Sequence, residues 1–127
     1  MINLRLHHVS MPVNNLPESV VFYKDVLNFI EIPRPTDLHG DGRWLSNNNT
    51  EIHLIEDKIH QGMGFGDGKL PDKKHFAFHV NDINEFRSYL IKNDVPVTEL
   101  VEFDNGFKQF HFLDPSKNPI EITDYSR

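Results

Sequence analysis

One stretch of this chain overlies another. When the residues from His8 onward are laid on those from His75 onward, a shift of 67 positions, His8, Val13, Asn14, Asn15, Leu16 and Glu18 fall on His75, Val80, Asn81, Asp82, Ile83 and Glu85, and Phe22 falls on Tyr89. Leu45 then falls on Leu113, and Ile52-His53-Leu54 on Ile120-Glu121-Ile122, once one residue is inserted. A repeat of this length restricts the fold, because each copy must be the same small unit of strands and helix. The 127 residues suit one domain of two modules, the first at about 1–57 and the second at about 74–127. Residues 58–73 between them are rich in Gly, Lys and Asp, with little apolar periodicity, and read as a linker.

Each module reads as one strand, one helix and three short strands. Leu16, Val20, Tyr23 and Leu27 recur at helical spacing after Asn15, with Pro17 in the first turn and Asn28 as the stop. Asp82 followed by Glu85 forms a capping-box pattern for a second helix, whose stripe is Ile83, Phe86 and Leu90 and which Asn93 and Pro96 close. Further strands are expected at 42–46, 50–55, 107–113 and 119–124, with weaker candidates near Ile30 and Val97.

Side chains alternate between the two faces of a strand, so each strand divides into two sets. Val9, Met11 and Val13 oppose His8, Ser10 and Pro12; Phe76, Phe78 and Val80 oppose His75, Ala77 and His79. Ile52 and Leu54 oppose Glu51, His53 and Ile55, and Ile120 and Ile122 oppose Glu121 and Thr123. The apolar sets suit packing under the helices. If the two sheets face each other, or face a partner's sheets, His8, His53, His75 and Glu121 converge in one cavity. Three imidazoles and a carboxylate suit Ni, Co, Zn, Fe or Mn and leave coordination positions open for water or substrate. A sheet face turned to water would explain each residue singly. It does not require donors in repeat-equivalent slots, His8 with His75 and His53 with Glu121.

Other polar residues are secondary candidates. His79 shares the parity of His75, and His111 lies in a strand expected to line the same surface; both are candidates to touch substrate. Glu51 lies on the face of His53 as a neighbouring partner or base. Arg43 and Trp44 alternate, so one enters the cavity and the other the core, and spacing does not decide which. His7 has the opposite parity to His8 and reads as structural or exposed, and His39 and His60 as loop residues. The run Gly62, Gly64, Gly66, Gly68 neither follows a strand nor opens a helix, unlike a phosphate-binding loop. With no cysteine, thiolate chemistry and disulfides are excluded, and no Gly-x-Ser-x-Gly elbow is present. Thirteen Lys and Arg against 19 Asp and Glu give a net charge of −6, which disfavours nucleic acid and anionic membranes as partners. The opening MINLRLHHVS lacks the apolar run of a signal sequence, so a cytoplasmic location is expected.

The segments LHHVSMPVNNLPESVVFYKDVLNF, TEIHLIE, KHFAFHVNDI and FLDPSKNPIEI resemble the vicinal-oxygen-chelate superfamily, which includes glyoxalase I, bleomycin-resistance proteins, fosfomycin-resistance enzymes and extradiol dioxygenases. The resemblance implies an α+β fold of two tandem βαβββ modules whose curved mixed sheets surround a metal cleft. It implies metal ligands at His8, His53, His75 and Glu121, and a homodimer acting on a small molecule. Similarity to glyoxalase I further implies a lyase or isomerase acting on a hemithioacetal-type substrate, with Glu121 as base and a metal-stabilised enediolate. Pro12 and Asp57 replace the arginine and asparagine that hold glutathione in bacterial glyoxalase I, leaving the thiol cosubstrate open. The second ligand, His53, is usually glutamate in glyoxalase I. Asp114-Pro115-Ser116-Lys117 stands for the family's Asp-Pro-Asp-Gly turn. The alternatives are a metal-free small-molecule binder of the bleomycin-resistance type, or a dioxygenase or fosfomycin-resistance-like member of the superfamily.

Overall fold

In a computed structural model the described residues are 1–65 and 75–126. The chain divides into two units, Met1–Gln61 and Gly62–Arg127. The expected linker falls outside the described residues from position 66 to 73, as do Gly66 and Gly68.

The first unit runs β1 (Val9–Val13), α1 (Leu16–Val21), β2 (Ile30–Ile32), β3 (Gly42–Asn47) and β4 (Thr50–Glu56). Its sheet has the spatial order β1-β4-β3-β2, with β1 parallel to β4 and the other pairs antiparallel. The Asn15 side chain accepts a hydrogen bond from Glu18 N at 3.1 Å and so caps α1. The helix is shorter than its stripe predicts: after Val21 the backbone widens into a π-helical turn over Phe22–Val26, and Asn28 ends it in the left-handed region at φ 58°. The stripe survives the change of pitch, since Leu16, Val20, Tyr23 and Leu27 are all buried. They share the first core with Met11, Val13, Leu45, Ile52 and Leu54.

The second unit repeats the plan with β5 (Ala77–His79), α2 (Ile83–Lys92), β6 (Val101–Glu102), β7 (Lys108–Leu113) and β8 (Pro119–Thr123), in spatial order β5-β8-β7-β6. Two βαβββ modules, each with a four-stranded mixed sheet, are therefore present as expected. The register repeats too: Ser10, His53 and Trp44 lie side by side on β1, β4 and β3, as Ala77, Glu121 and His111 do on β5, β8 and β7. Asp82 caps α2 by accepting from Glu85 N at 3.0 Å. Ile83, Leu90, Phe110, Phe112, Ile120 and Ile122 are buried.

The fourth strand of this sheet departs from expectation. Val97 forms only an isolated bridge to Phe112, and β6 begins at Val101. Pro96 has no N–H to donate, and the Thr98 hydroxyl accepts from His111 N at 2.8 Å, so a side chain occupies a place the ladder would fill. Arg87 adds two hydrogen bonds to the Thr98 carbonyl.

The turn between β7 and β8 is built on one buried carboxylate. Asp114 accepts from the backbone N–H groups of Ser116 and Asn118, each at 2.9 Å, and from the Asn118 side-chain amide at 3.0 Å. Gly62 packs against this turn so closely that a Cβ would meet Ser116 O at 2.2 Å, and its φ of 65° is left-handed. Only glycine fits there. Charged hydrogen bonds of this kind contribute about 1.5–3 kcal/mol. Asp114→Ala should therefore lower the unfolding free energy by roughly 2 kcal/mol in chemical denaturation; a change within about 0.5 kcal/mol, as at an ordinary surface position, would contradict this reading of the turn.

Candidate metal centre

Each unit gathers its polar donors on the sheet face opposite the helix. In the first unit the central feature is a stack of three rings. The His53 imidazole lies between His8, with ring centroids 3.9 Å apart and planes at 15°, and Trp44, at 4.0 Å and 3°. His53 is buried although polar, and its Nε2 lies 2.7 Å from Glu51 Oε2. His53 donating to Glu51 is the main cause holding that carboxyl below its ordinary pKa; partial burial opposes the shift, and His7, His53 and His8 add electrostatically to it.

His7 Nδ1 lies 2.9 Å from His8 Nδ1, the two rings meeting edge to face. One donor atom each from His7, His8 and Glu51 lies within 4.8 Å of the others. The sequence reading set His7 aside on parity. The chain before β1 has no strand pairing, so parity does not govern it there. The adjacent His7-His8 pair was the available signal.

In the second unit Glu121 Oε1 is flanked by two imidazoles, with His75 Nε2 at 3.5 Å and His111 Nε2 at 3.6 Å. These separations are long for direct hydrogen bonds. They exceed by a few tenths of an ångström the roughly 3.3–3.4 Å between neighbouring donors on a tetrahedral ion with metal–ligand bonds of about 2.0–2.1 Å, so an ion would draw the three groups together. Burial pushes the His111 imidazole below its ordinary pKa; Glu121 partly counters this and His75 adds to it. The uncharged form, which has a lone pair to offer, is thereby favoured.

The ligand candidates thus pair within the units, His8 with His53 and His75 with Glu121. Of the secondary candidates, Trp44 and Glu51 touch His53, and His111 approaches Glu121. His79 is exposed on the same face as Glu121, beside Thr123. Arg43 is different. It lies opposite Leu54 on the helix side of the sheet and is exposed there, paired with Glu31 at 3.0 Å. Of the two alternating residues Trp44 takes the donor face. Arg43 goes to neither cavity nor core, because a guanidinium near the sheet edge reaches both water and a carboxylate. The His60 carbonyl accepts from Asn14 Nδ2 at 2.9 Å, and the His39 carbonyl from Arg34 at 3.4 Å. Both are loop roles.

No helix among the described residues is long and apolar enough to cross a membrane.

The model of the glyoxalase/bleomycin resistance protein/dioxygenase superfamily matches residues 5–122. A protein of Arabidopsis thaliana named glyoxylase I 4 is 29% identical over 119 residues, 92% of this chain and 68% of that protein. Among solved structures, a putative glyoxalase family protein from Bacillus anthracis is 29% identical with a TM-score of 0.74, covering 97% of this chain and 98% of that one. A fosfomycin resistance protein from Listeria monocytogenes shares the fold at a TM-score of 0.77 and 17% identity, over 99% and 94% of the two chains.

Trp44 is the single tryptophan of the sequence, so its fluorescence reports on the His53 ring. Titration with Co(II) or Ni(II) should quench it saturably, and His53→Ala should remove the saturable component. Quenching that is linear in added metal, or unaffected by His53→Ala, would show that the ion does not reach this stack.

Proposed function

The chain belongs to the glyoxalase/bleomycin resistance protein/dioxygenase superfamily, and from that premise we propose that it is a metal-dependent, glyoxalase-I-like lyase or isomerase acting on a small substrate with two neighbouring oxygens. The observation that carries the reading is the repeated donor pattern: each module sets a donor at the same point of its central strand, His53 on β4 and Glu121 on β8, beside a histidine from the chain just ahead of the first strand, His8 or His75. The donor chemistry fits a divalent ion such as Ni, Co, Zn, Fe or Mn. His8, His53, His75 and Glu121 are the proposed ligands. His7 and Glu51 lie close enough to His8 and His53 to hold those rings through hydrogen bonds. A bound metal would supply Lewis-acid polarisation of the two substrate oxygens.

The chain's own part is proton movement. Glu121 is the proposed base, and as a ligand it would have to be freed by the arriving substrate before it is basic enough. Its carboxylate takes the proton from the hydroxyl-bearing carbon, the electron pair left behind moves toward the neighbouring carbonyl, the hydroxyl proton passes to the former carbonyl oxygen, and Glu121 returns its proton to the former carbonyl carbon. The net change is an isomerisation with no co-reactant consumed. His111 flanks the base at 3.6 Å from Oε1, on the side opposite the chain that leads into β5. Glu121 is largely screened from water, and its position in β8, paired on both sides, fixes where the proton is held. The functional form is proposed to be a homodimer in the cytoplasm.

Metal analysis of protein purified without chelator is the direct test. His75→Ala and Glu121→Gln should each weaken metal affinity by at least about tenfold, with helical circular dichroism unchanged. Isomerisation of methylglyoxal, assayed with several thiols, should disappear on chelation and return with added metal. Unchanged metal stoichiometry and affinity in both variants would overturn the proposal in favour of a metal-free binding protein.

A further inference from the structure

Three rows of side chains follow one another along the donor face of the second sheet. The first is Ala77, Glu121 and His111, and the second is His79, Thr123 and Gln109, with Val101 beside Gln109. The third lies one step past the strand ends, where the register is carried on by Asp124 N donating to Lys108 O at 3.3 Å and Phe103 N to Phe107 O, so that Phe107 comes opposite Tyr125 on one side and Phe103 on the other. The Phe107 and Tyr125 rings have centroids 5.0 Å apart, and Phe103 stacks on Phe107 at 4.6 Å. The hairpin is closed by Phe103 N donating to Phe107 O at 2.9 Å.

These rings are not part of the core. The core positions of the same strands are taken by Phe110, Phe112, Ile120 and Ile122, which point the other way and are buried. Phe103, Tyr125 and Val101 are 39%, 51% and 46% exposed. At about 3.3 Å per residue the third row lies roughly 13 Å along the strands from Glu121. An apolar wall thus begins where a polar row of His79, Thr123 and Gln109 ends, on the face that carries the proposed base. Four partly exposed side chains offer far less than the roughly 800 Å² per partner that a standard protein interface buries. The wall has the size of one arm of a small molecule.

We propose that Phe107 and Tyr125, backed by Phe103 and Val101, bind an aromatic or long alkyl arm of the substrate, so that this chain selects vicinal-oxygen compounds carrying a hydrophobic tail about ten atoms long. The inference rests on the function proposed above. The oxygens of the substrate lie at Glu121, its chain crosses the polar row, and its apolar end covers the rings. The preference is a matter of binding, with no chemistry at the wall.

The experiment measures, by calorimetry on the metal-loaded protein, the affinity of two 2-hydroxy acids: lactate, and 2-hydroxy-8-phenyloctanoate. Burial of one phenyl-sized group should make the second bind about tenfold to a hundredfold more tightly. The double variant Phe107→Ala/Tyr125→Ala, altered only at partly exposed positions, should lose that ratio while keeping its lactate affinity. Equal affinity for the two acids, or a ratio that survives in the double variant, would overturn the inference. So would a double variant that dissociates in sedimentation from an oligomer to a monomer with no wild-type ratio to lose, since a second copy would then cover the wall. Repeating the measurement after chelation separates the two claims: loss of lactate binding tests the metal reading, and the ratio tests the wall.

Discussion

In each sheet the strand second in spatial order, β4 or β8, is hydrogen-bonded along both edges, and its alternation is therefore fixed from two sides at once. A slip of one residue would turn Ile52 and Leu54, or Ile120 and Ile122, out of the core and drive His53 or Glu121 in. Each of those aliphatic side chains contributes about 1.5–3 kcal/mol by burial, so the register is held by hydrophobic packing on the face opposite the donors. The donors on the opposite face are positioned by that packing. This is why a polar residue as costly to bury as His53 can be held in a defined place: it rides on a strand it does not stabilise.

The donor faces compensate their burial by different means. His53 is covered by two flat rings and satisfied by Glu51, so it loses little by leaving water. Glu121 has imidazoles on two sides at distances longer than hydrogen bonds. The repeat has diverged in chemistry while keeping its geometry, with Trp44 standing in the register position that His111 occupies in the second module. A stacked ring and a nitrogen donor flank their central strand from the same side, so the first module covers its central donor with an aromatic ring where the second sets a further imidazole beside its own.

Much of this was legible in the sequence because it depends on local rules. The repeat, both helix starts at Asn15 and Asp82, the apolar stripes and the strand faces follow from repetition, capping and alternation, whereas the assembly of the strands into two mixed sheets was implied by the family resemblance. What escaped was set by contacts that spacing does not encode. The π-helical turn after Val21 preserves the stripe that announced the helix, so the stripe did not reveal it. Thr98 replaces a ladder hydrogen bond with its hydroxyl, which displaced the fourth strand of the second sheet from Val97 to Val101. Arg43 found Glu31 on the helix side, and His7, ahead of the first paired strand, turned toward His8 despite its parity.

The central claim is that matched strands of a duplicated module present imidazole nitrogens and one carboxylate to a divalent ion. X-ray absorption spectroscopy of protein loaded with one equivalent of Ni(II) or Zn(II) reads the coordination shell directly. The account predicts multiple-scattering from about three imidazoles with the remaining positions filled by oxygen. A shell of oxygen alone, or with a single imidazole, would contradict it.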